Sequence, residues 1–403
     1  MKYVVILGDG MADYPDKCQG GSPLQVAKKP FIDSLCQFSE VGLCKTIPDG
    51  MKPGSDVANL SVLGYNPNKV YTGRSPLEAA SIGINLKDTD VTARANLVTL
   101  SNDEDFTKKT MVDYSAGEIS TKEAKILIDY LKNHLNNDNT KLYAGISYRH
   151  CLVMEKGEIA GDLTPPHDIT GKVIGEYLPK SDRGQFYLDL IKKSYKLLKN
   201  HPINLERVKN GKNPANALWF WGEGSKPKLP SFYSLRKVKG AMISAVDLLK
   251  GIAKLADMNV IEVDGATGNY DTNFIGKANA CINALNNGID FVYIHVEAPD
   301  ECGHHGDMEK KIYSIEQIDE KVVKPIVENL RNSGEPFRIL ICPDHPTPIS
   351  IRTHCSDAVP YILYDSEKKY VGKKVDSYNE ISAKDTNIYI NSGVELMDKL
   401  LKN

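Results

Sequence analysis

The chain has 403 residues, with 50 lysines and arginines against 52 aspartates and glutamates and a formal net charge of -2. Apolar residues make up 41% and charged residues 25%, ordinary globular composition with material for two or three domains, or for one large domain with an insertion. No basic excess is available to neutralise a nucleic-acid backbone, and no apolar run approaches the roughly 18 residues that span a bilayer, so neither nucleic acid nor membrane is an expected partner.

The chain enters an apolar strand-like run directly at Tyr3–Leu7, without the longer apolar stretch and cleavage site of a secretion signal. Its eight cysteines contain no CxxC pair and are too sparse for a disulfide framework, which points to reduced thiols in a cytoplasmic protein. Any metal here is therefore expected to use histidine and carboxylate. Between residues 92 and 235 the pattern changes to short strands, helices over Thr121–Leu135 and Phe186–Lys199, and loop-like segments over 163–167 and 219–227. Residues Ala241–Leu255 carry apolar side chains at helical spacing (Ile243, Val246, Leu249, Ile252 and Leu255). A strand over Val260–Val263 follows, then a helix over Phe274–Leu285 with Gly288 as its stop, and a strand over Phe291–Val296. An amphipathic stretch over Lys310–Leu330, bent or divided at Pro325, precedes strands at Arg338–Cys342 and Val359–Tyr364. Strands alternating with helices of this length predict an α/β fold with a mainly parallel sheet flanked by helices. The expected domains are a core over 1–91 and 236–403 and a smaller inserted α+β domain over 92–235.

Three of these strands run into aspartate within a few residues: Asp9 in Gly8-Asp9-Gly10, Asp300 in Glu297-Ala298-Pro299-Asp300, and Asp344 in Pro343-Asp344-His345. In an open parallel sheet the carboxyl ends of strands line the ligand-binding edge. Three carboxylates gathered there repel one another unless a cation sits among them. Five of nine histidines fall between 295 and 354. His304 follows Asp300 by four residues, His345 adjoins Asp344, and His354 lies nine residues beyond. Aspartate and histidine together suit Zn²⁺, Mn²⁺ or a similar ion better than Ca²⁺, and this many donors suits two ions about 4 Å apart. His295, inside a strand, reads as core. Ser55, in Pro53-Gly54-Ser55-Asp56, opens a helix whose N-terminus favours an anion or alkoxide. Alone it reads as a helix cap, but beside metals it is a candidate nucleophile. Arg74, Arg94 and Arg149-His150 could supply cationic forks, and His167-Asp168 after two prolines is a further candidate; each alone could be an ordinary surface group. Trp219 and Trp221 read as a packing cluster.

Taken as an ordered set, Gly8–Asp13, Gly54–Asn59, Tyr148–His150, Thr164–Asp168, Asp264–Gly268, Pro299–His304, Pro343–His345 and Arg352–His354 resemble the cofactor-independent (2,3-bisphosphoglycerate-independent) phosphoglycerate mutases of the shorter, archaeal type, in the alkaline phosphatase superfamily. The resemblance covers nearly the whole chain. It implies an alkaline-phosphatase-like α/β core with an inserted domain that closes over the substrate. It also implies one metal on Asp300, His304 and His354, and a second on Asp9, Asp344, His345 and the Ser55 oxygen, with Ser55 transiently phosphorylated. The ions would be Mn²⁺, Mg²⁺, Co²⁺ or Zn²⁺, with no 2,3-bisphosphoglycerate required. Arg94, Arg149, His150, His167 and Asp168 fall where the substrate groups of the insertion are expected. The implied partner is a small phosphorylated hydroxy acid, and the implied reaction is the interconversion of 3- and 2-phosphoglycerate in glycolysis and gluconeogenesis. A homoserine kinase-like phosphotransferase, a metal-dependent phosphatase and a non-catalytic metal-binding protein are the alternatives. Where the longer mutases carry Asp-His-Gly-Asn, this chain has Asp344-His345-Pro346-Thr347, so the loop beyond the ligands differs. Nothing in the pattern indicates an oligomeric state.

Overall fold

The computed structural model describes residues 1–402 and divides them into two units, Met1–Tyr71 with the segment from Lys228 onward, and Thr72–Pro227. In chain order the strands are β1 (Lys2–Gly8), β2 (Ser39–Cys44), β3 (Val91–Leu100), β4 (Met111–Asp113), β5 (Thr140–Tyr143), β6 (Arg149–Met154), β7 (Ala217–Ser225), β8 (Gly240–Ile243), β9 (Asn259–Ile261), β10 (Phe291–Val296), β11 (Phe337–Cys342), β12 (Val359–Asp365) and β13 (Tyr389–Ile390). The first unit holds an eight-stranded sheet ordered β13-β2-β12-β11-β1-β10-β8-β9. Five of its seven pairings are parallel, and the two made by β12 are antiparallel. The fold is α/β with a mainly parallel sheet, as the alternation of strands and helices predicts.

The apolar run of β1 explains its central place. Val4, Val5, Ile6 and Leu7 are fully buried, so the strand needs cover on both faces, and it lies parallel to β10 on one side and β11 on the other. Ile6 sits level with Ile294 and with Ile341. Each such side chain contributes about 1.5–3 kcal/mol of burial. Because β10, β1 and β11 are consecutive and adjacent strands lie about 4.8 Å apart, their carboxyl ends fall within about 10 Å of one another.

Several local readings change. Residues 241–243 form β8, and the helix begins only at Asp247 (Asp247–Leu255). Ile243 pairs with Ile294 of β10, so a residue counted toward the helical face belongs to a strand. The segment 219–227, read as loop, is mostly β7. Its glycines accommodate an irregularity: Gly222 has φ +61°, and the β3–β7 register shifts between Thr92 and Arg94. Residues 310–330 become helices Met308–Gln317 and Lys324–Ser333 joined by a wide turn, Ile318–Val323. Pro325 lies in the first turn of the last helix, where its missing N–H costs least, and the wide turn precedes it.

In the second unit β4, β3, β6 and β5 pair in that order, with β7 on the other edge of β3. Helix Thr121–Leu135 buries Ala124, Leu127, Ile128, Leu131 and Leu135, a single stripe at helical spacing, and Ser120 caps its start. The unit limits fall at 71/72 and 227/228, whereas composition suggests 91/92 and 235/236. Residues 72–90 group with the second unit because helix Ser75–Ser81 and the segment through Leu86 pack there, Ala79 and Leu86 burying against Cys151 and Val153 of β6. No helix among the described residues is long and apolar enough to cross a membrane.

Candidate active site

The loops leaving β1, β10 and β11 bring Asp9, Asp300 and Asp344 together, all three buried. Gly10 makes the approach possible: its φ is +62°, and a Cβ there would stand 2.7 Å from Asp300 Oδ1. Its N–H and that of His345 donate to Asp344 Oδ1 (3.2 and 2.9 Å). Helix Ala298–His305 places Asp300 and His304 one turn apart, with Oδ2 to Nε2 at 3.2 Å. His354 Nε2 lies 3.4 Å from Asp300 Oδ1 and 2.9 Å from His304 Nε2. Two ring nitrogens at that separation need a shared proton or a shared cation.

The second cluster surrounds His345 Nε2, which is 3.2 Å from Ser55 Oγ, 3.4 Å from Asp344 Oδ2 and 3.6 Å from Asp9 Oδ1. Ser55 is the first residue of helix Ser55–Val62, and the cap position belongs to Gly54. Its hydroxyl thus sits at a helix N-terminus, turned toward buried acids and imidazole.

Electrostatics favours a cation here. Burial, then the charges of Asp344 and Asp300, push the Asp9 carboxyl well above the usual range. Burial would raise Asp300 too, but hydrogen bonds to His304 and His354 hold it well below. The Asp300 hydrogen bond raises His304 to about 9, while burial pushes His345 down. Asp9 Oδ1 is buried and accepts no hydrogen bond. A buried carboxylate oxygen without a donor, beside imidazole nitrogens and further carboxylates, fits a divalent ion. Asp300, His304 and His354 each offer a donor atom within 4.8 Å of the others; Asp9, Asp300 and His345 do so as well, and so do Asp9, His295 and Asp344.

Four neighbours escaped the sequence reading. His295 is buried, as a core residue would be, yet its Nε2 lies 2.9 Å from Asp9 Oδ2. It pairs with Leu7 across β1 and β10, one residue from the strand end, and a polar residue there is the only advance signal. Asn59, one helical turn beyond Ser55, donates to Asp344 Oδ2 (2.9 Å) and to the Ser55 carbonyl (2.8 Å). The buried Tyr293 hydroxyl donates to Asn59 Oδ1 (2.7 Å) and so fixes which way the amide faces. The Thr347 hydroxyl donates to Asp300 Oδ1.

The remaining candidates lie in the second unit. Glu78 bridges two arginines, Oε1 to Arg74 Nε at 3.0 Å and Oε2 to Arg94 Nε at 2.8 Å. The Arg94 guanidinium stacks 4.0 Å above the Trp221 ring, whose Nε1 donates to Asn96 (3.0 Å). The His167 ring lies 5.0 Å from Trp221, and its Nε2 is 3.5 Å from Asp168. Trp219 is core; Trp221 belongs to this cluster. Arg149, across from Asn96 on β6, shares the face of Arg94. His150 alternates to the opposite face, is buried, and accepts from the Gly145 N–H (3.1 Å). Burial lowers it to about 3, so it stays neutral. The structure therefore gathers Arg74, Arg94, Arg149, His167 and Asp168 and leaves His150 apart.

Comparison with known proteins agrees with this chemistry. The family model described as 2,3-bisphosphoglycerate-independent phosphoglycerate mutase matches residues 37–204. The mutase of that description from Methanosarcina barkeri is 50% identical over 404 residues, covering all of both chains. A protein from Geobacter sulfurreducens described as a probable mutase of this kind is 45% identical, again over the whole of both. Among solved structures, a Pyrococcus horikoshii protein superposes with a TM-score of 0.80 at 28% identity, covering 99% of this chain and 97% of that one. The cofactor-independent phosphoglycerate mutase of Thermoplasma acidophilum gives 0.64 at 26% identity, covering 100% and 99%. This chain belongs to the family of 2,3-bisphosphoglycerate-independent phosphoglycerate mutases.

Proposed function

We propose that the chain interconverts 3-phosphoglycerate and 2-phosphoglycerate through a phosphoserine at Ser55. The observation that carries this reading is the Ser55 hydroxyl, 3.2 Å from His345 Nε2 at a helix N-terminus beside buried aspartates, in a chain half identical over its full length to a mutase. Asp300, His304 and His354 would hold one divalent ion, and Asp9, Asp344, His345 and Ser55 a second, drawn from Mn²⁺, Mg²⁺, Co²⁺ and Zn²⁺. When bound, such ions lower the pKa of a coordinated hydroxyl and offset charge on a transferring phosphoryl group.

The protein's own groups do the rest. The N-terminus of helix Ser55–Val62 favours negative charge on the Ser55 oxygen. That oxygen attacks phosphorus, the bond to the 3-oxygen of the substrate breaks, and the proton given up by the Ser55 hydroxyl ends on the 3-oxygen, so glycerate remains with its 3-hydroxyl restored. Glycerate then presents its 2-hydroxyl, which takes the phosphoryl group back and frees Ser55. Arg74, Arg94 and Arg149 would grip the carboxylate through the turnover, with Arg74 and Arg94 pre-set by Glu78 and Arg94 also by Trp221. Water must be kept out while Ser55 is phosphorylated, since hydrolysis would make the enzyme a phosphatase. His295 and Asn59 serve as positioning residues, each tying one oxygen of an aspartate.

The test couples the metal-loaded protein and 3-phosphoglycerate to enolase. Turnover is expected, with Ser55→Ala lowering it by three orders of magnitude or more, on the order of what losing a nucleophile costs elsewhere. Absence of turnover with all four metals rejects the mutase. Phosphate released faster than 2-phosphoglycerate forms, or homoserine phosphorylated from ATP, would move the assignment to the corresponding alternative.

A further inference from the structure

The first unit contains a cavity of about 400 Å³ at the end of its sheet opposite the strand-end acids. Arg338, on its wall, is the second residue of β11, and Asp344 follows six residues later, about 20 Å at strand rise. The volume lies within the range of small-molecule sites. Its wall carries five cationic side chains, Arg338, Lys368, Lys369, Lys399 and Lys402, against two acids, Glu40 and Asp365.

Both acids are already satisfied. Glu40 accepts from Lys399 (2.5 Å) and from the buried Tyr361 hydroxyl (2.6 Å). Asp365 accepts from Arg338 Nε (2.8 Å) and from the Glu367 N–H (3.0 Å). Arg338 is itself buried, and its Nη1 donates to the main-chain carbonyls of Leu400 and Lys402, so the wall is rigid at its base. Among the described residues no acidic side chain pairs with Lys369 or Lys402. Among the described residues cationic charge is therefore left over on this wall, in a chain whose net charge is -2. The same cavity also exposes apolar surface: Phe38 is 59% and Val371 89% accessible, and Tyr370 adds a second aromatic ring. Uncompensated ammonium groups beside uncovered aromatic and aliphatic surface call for a ligand that brings both an anion and a flat apolar group.

We propose that this cavity binds a nucleoside phosphate, its base against Phe38 and Tyr370 and its phosphate toward Lys369 and Lys402. Aromatic side chains stack on the π-face that every base presents, and ammonium groups bind phosphate as point charges. The site is separate from the strand-end acids.

Calorimetric titration of the metal-loaded full chain with AMP, adenosine and inorganic phosphate tests this. AMP is expected to bind with a Kd of about 1 mM or better, and more tightly than adenosine or phosphate. The double variant Lys369→Glu/Lys402→Glu should weaken AMP about tenfold or more. Phe38→Ser should weaken AMP and leave phosphate unchanged, and neither variant should alter basal turnover. No AMP binding at about 5 mM overturns the proposal. So does AMP binding that both variants leave intact, which would place it elsewhere, or phosphate binding as tightly as AMP, which would remove the base from the site.

Discussion

His295 offers the sharpest test of the metal-centre geometry. Burial pushes it down to about 4, so it is neutral at pH 7. Ser244 Oγ accepts from the Val246 N–H (3.0 Å), leaving the hydroxyl proton free to point at His295 Nδ1, 3.3 Å away. The imidazole proton is then on Nε2, donated to Asp9 Oδ2 (2.9 Å), while Oδ1 stays free for a metal. His295→Leu removes that donor and leaves both oxygens of a buried carboxylate unsatisfied. A hydrogen bond to a charged group contributes about 1.5–3 kcal/mol, and about 1.4 kcal/mol is a factor of ten. Mn²⁺ affinity should therefore fall about 10- to 150-fold, in line with other residues that orient metal ligands. His295→Gln, which can return an N–H near the position of Nε2, should recover most of the loss. Titration of Mn²⁺ followed by its electron paramagnetic resonance signal reads this directly, and turnover at saturating metal reads what remains. If the leucine variant binds Mn²⁺ as tightly as the natural protein, or if glutamine and leucine behave alike, the hydrogen bond to Asp9 plays no part in holding the ion.

Other consequences are equally measurable. Arg94→Met removes a fork pinned by Glu78 and Trp221, and the KM for 3-phosphoglycerate should rise about 10- to 150-fold while Mn²⁺ affinity stays put; a change confined to metal affinity would take Arg94 out of substrate binding. In the metal-free protein His304 is raised from 6.5 to about 9 by Asp300, so the stability this pair lends is fully present below pH 6.5 and is lost as pH rises through 9. A metal must displace that proton, so metal affinity should climb between pH 6.5 and 9 with release of protons detectable in weakly buffered solution; pH-independent binding would exclude His304 as a ligand. Chelation should lower the melting temperature, because an ion that binds only the folded site stabilises it, and adding metal at about 100 times its Kd should restore about 2.7 kcal/mol. Identical melting with and without chelator would argue that no ion sits among the three acids.

The features legible in the amino-acid order are local ones. The apolar, β-branched run of β1 demands burial on both faces, Ser120 and a 3.6-residue stripe define helix Thr121–Leu135, and Gly54-Ser55 opens a helix. These follow from side-chain chemistry and short-range geometry, which a one-dimensional pattern carries. The pairing of β10 with β1 and β11 is a property of the folded chain, since it joins residues roughly 290 to 340 positions apart, and only that order brings the acids after the three strands to one point. The same holds for Asn59 and His295, whose roles depend on which neighbour their polar atoms meet, and for His150, which strand alternation turns away from Arg149 beside it. β7 read as loop because its glycines are turn formers locally, yet pairing with β3 along its length and a bulge at Gly222 outweigh that preference. Spacing along the chain reports which face a residue occupies, whereas the partner across that face is set by strand order, which distant segments choose together.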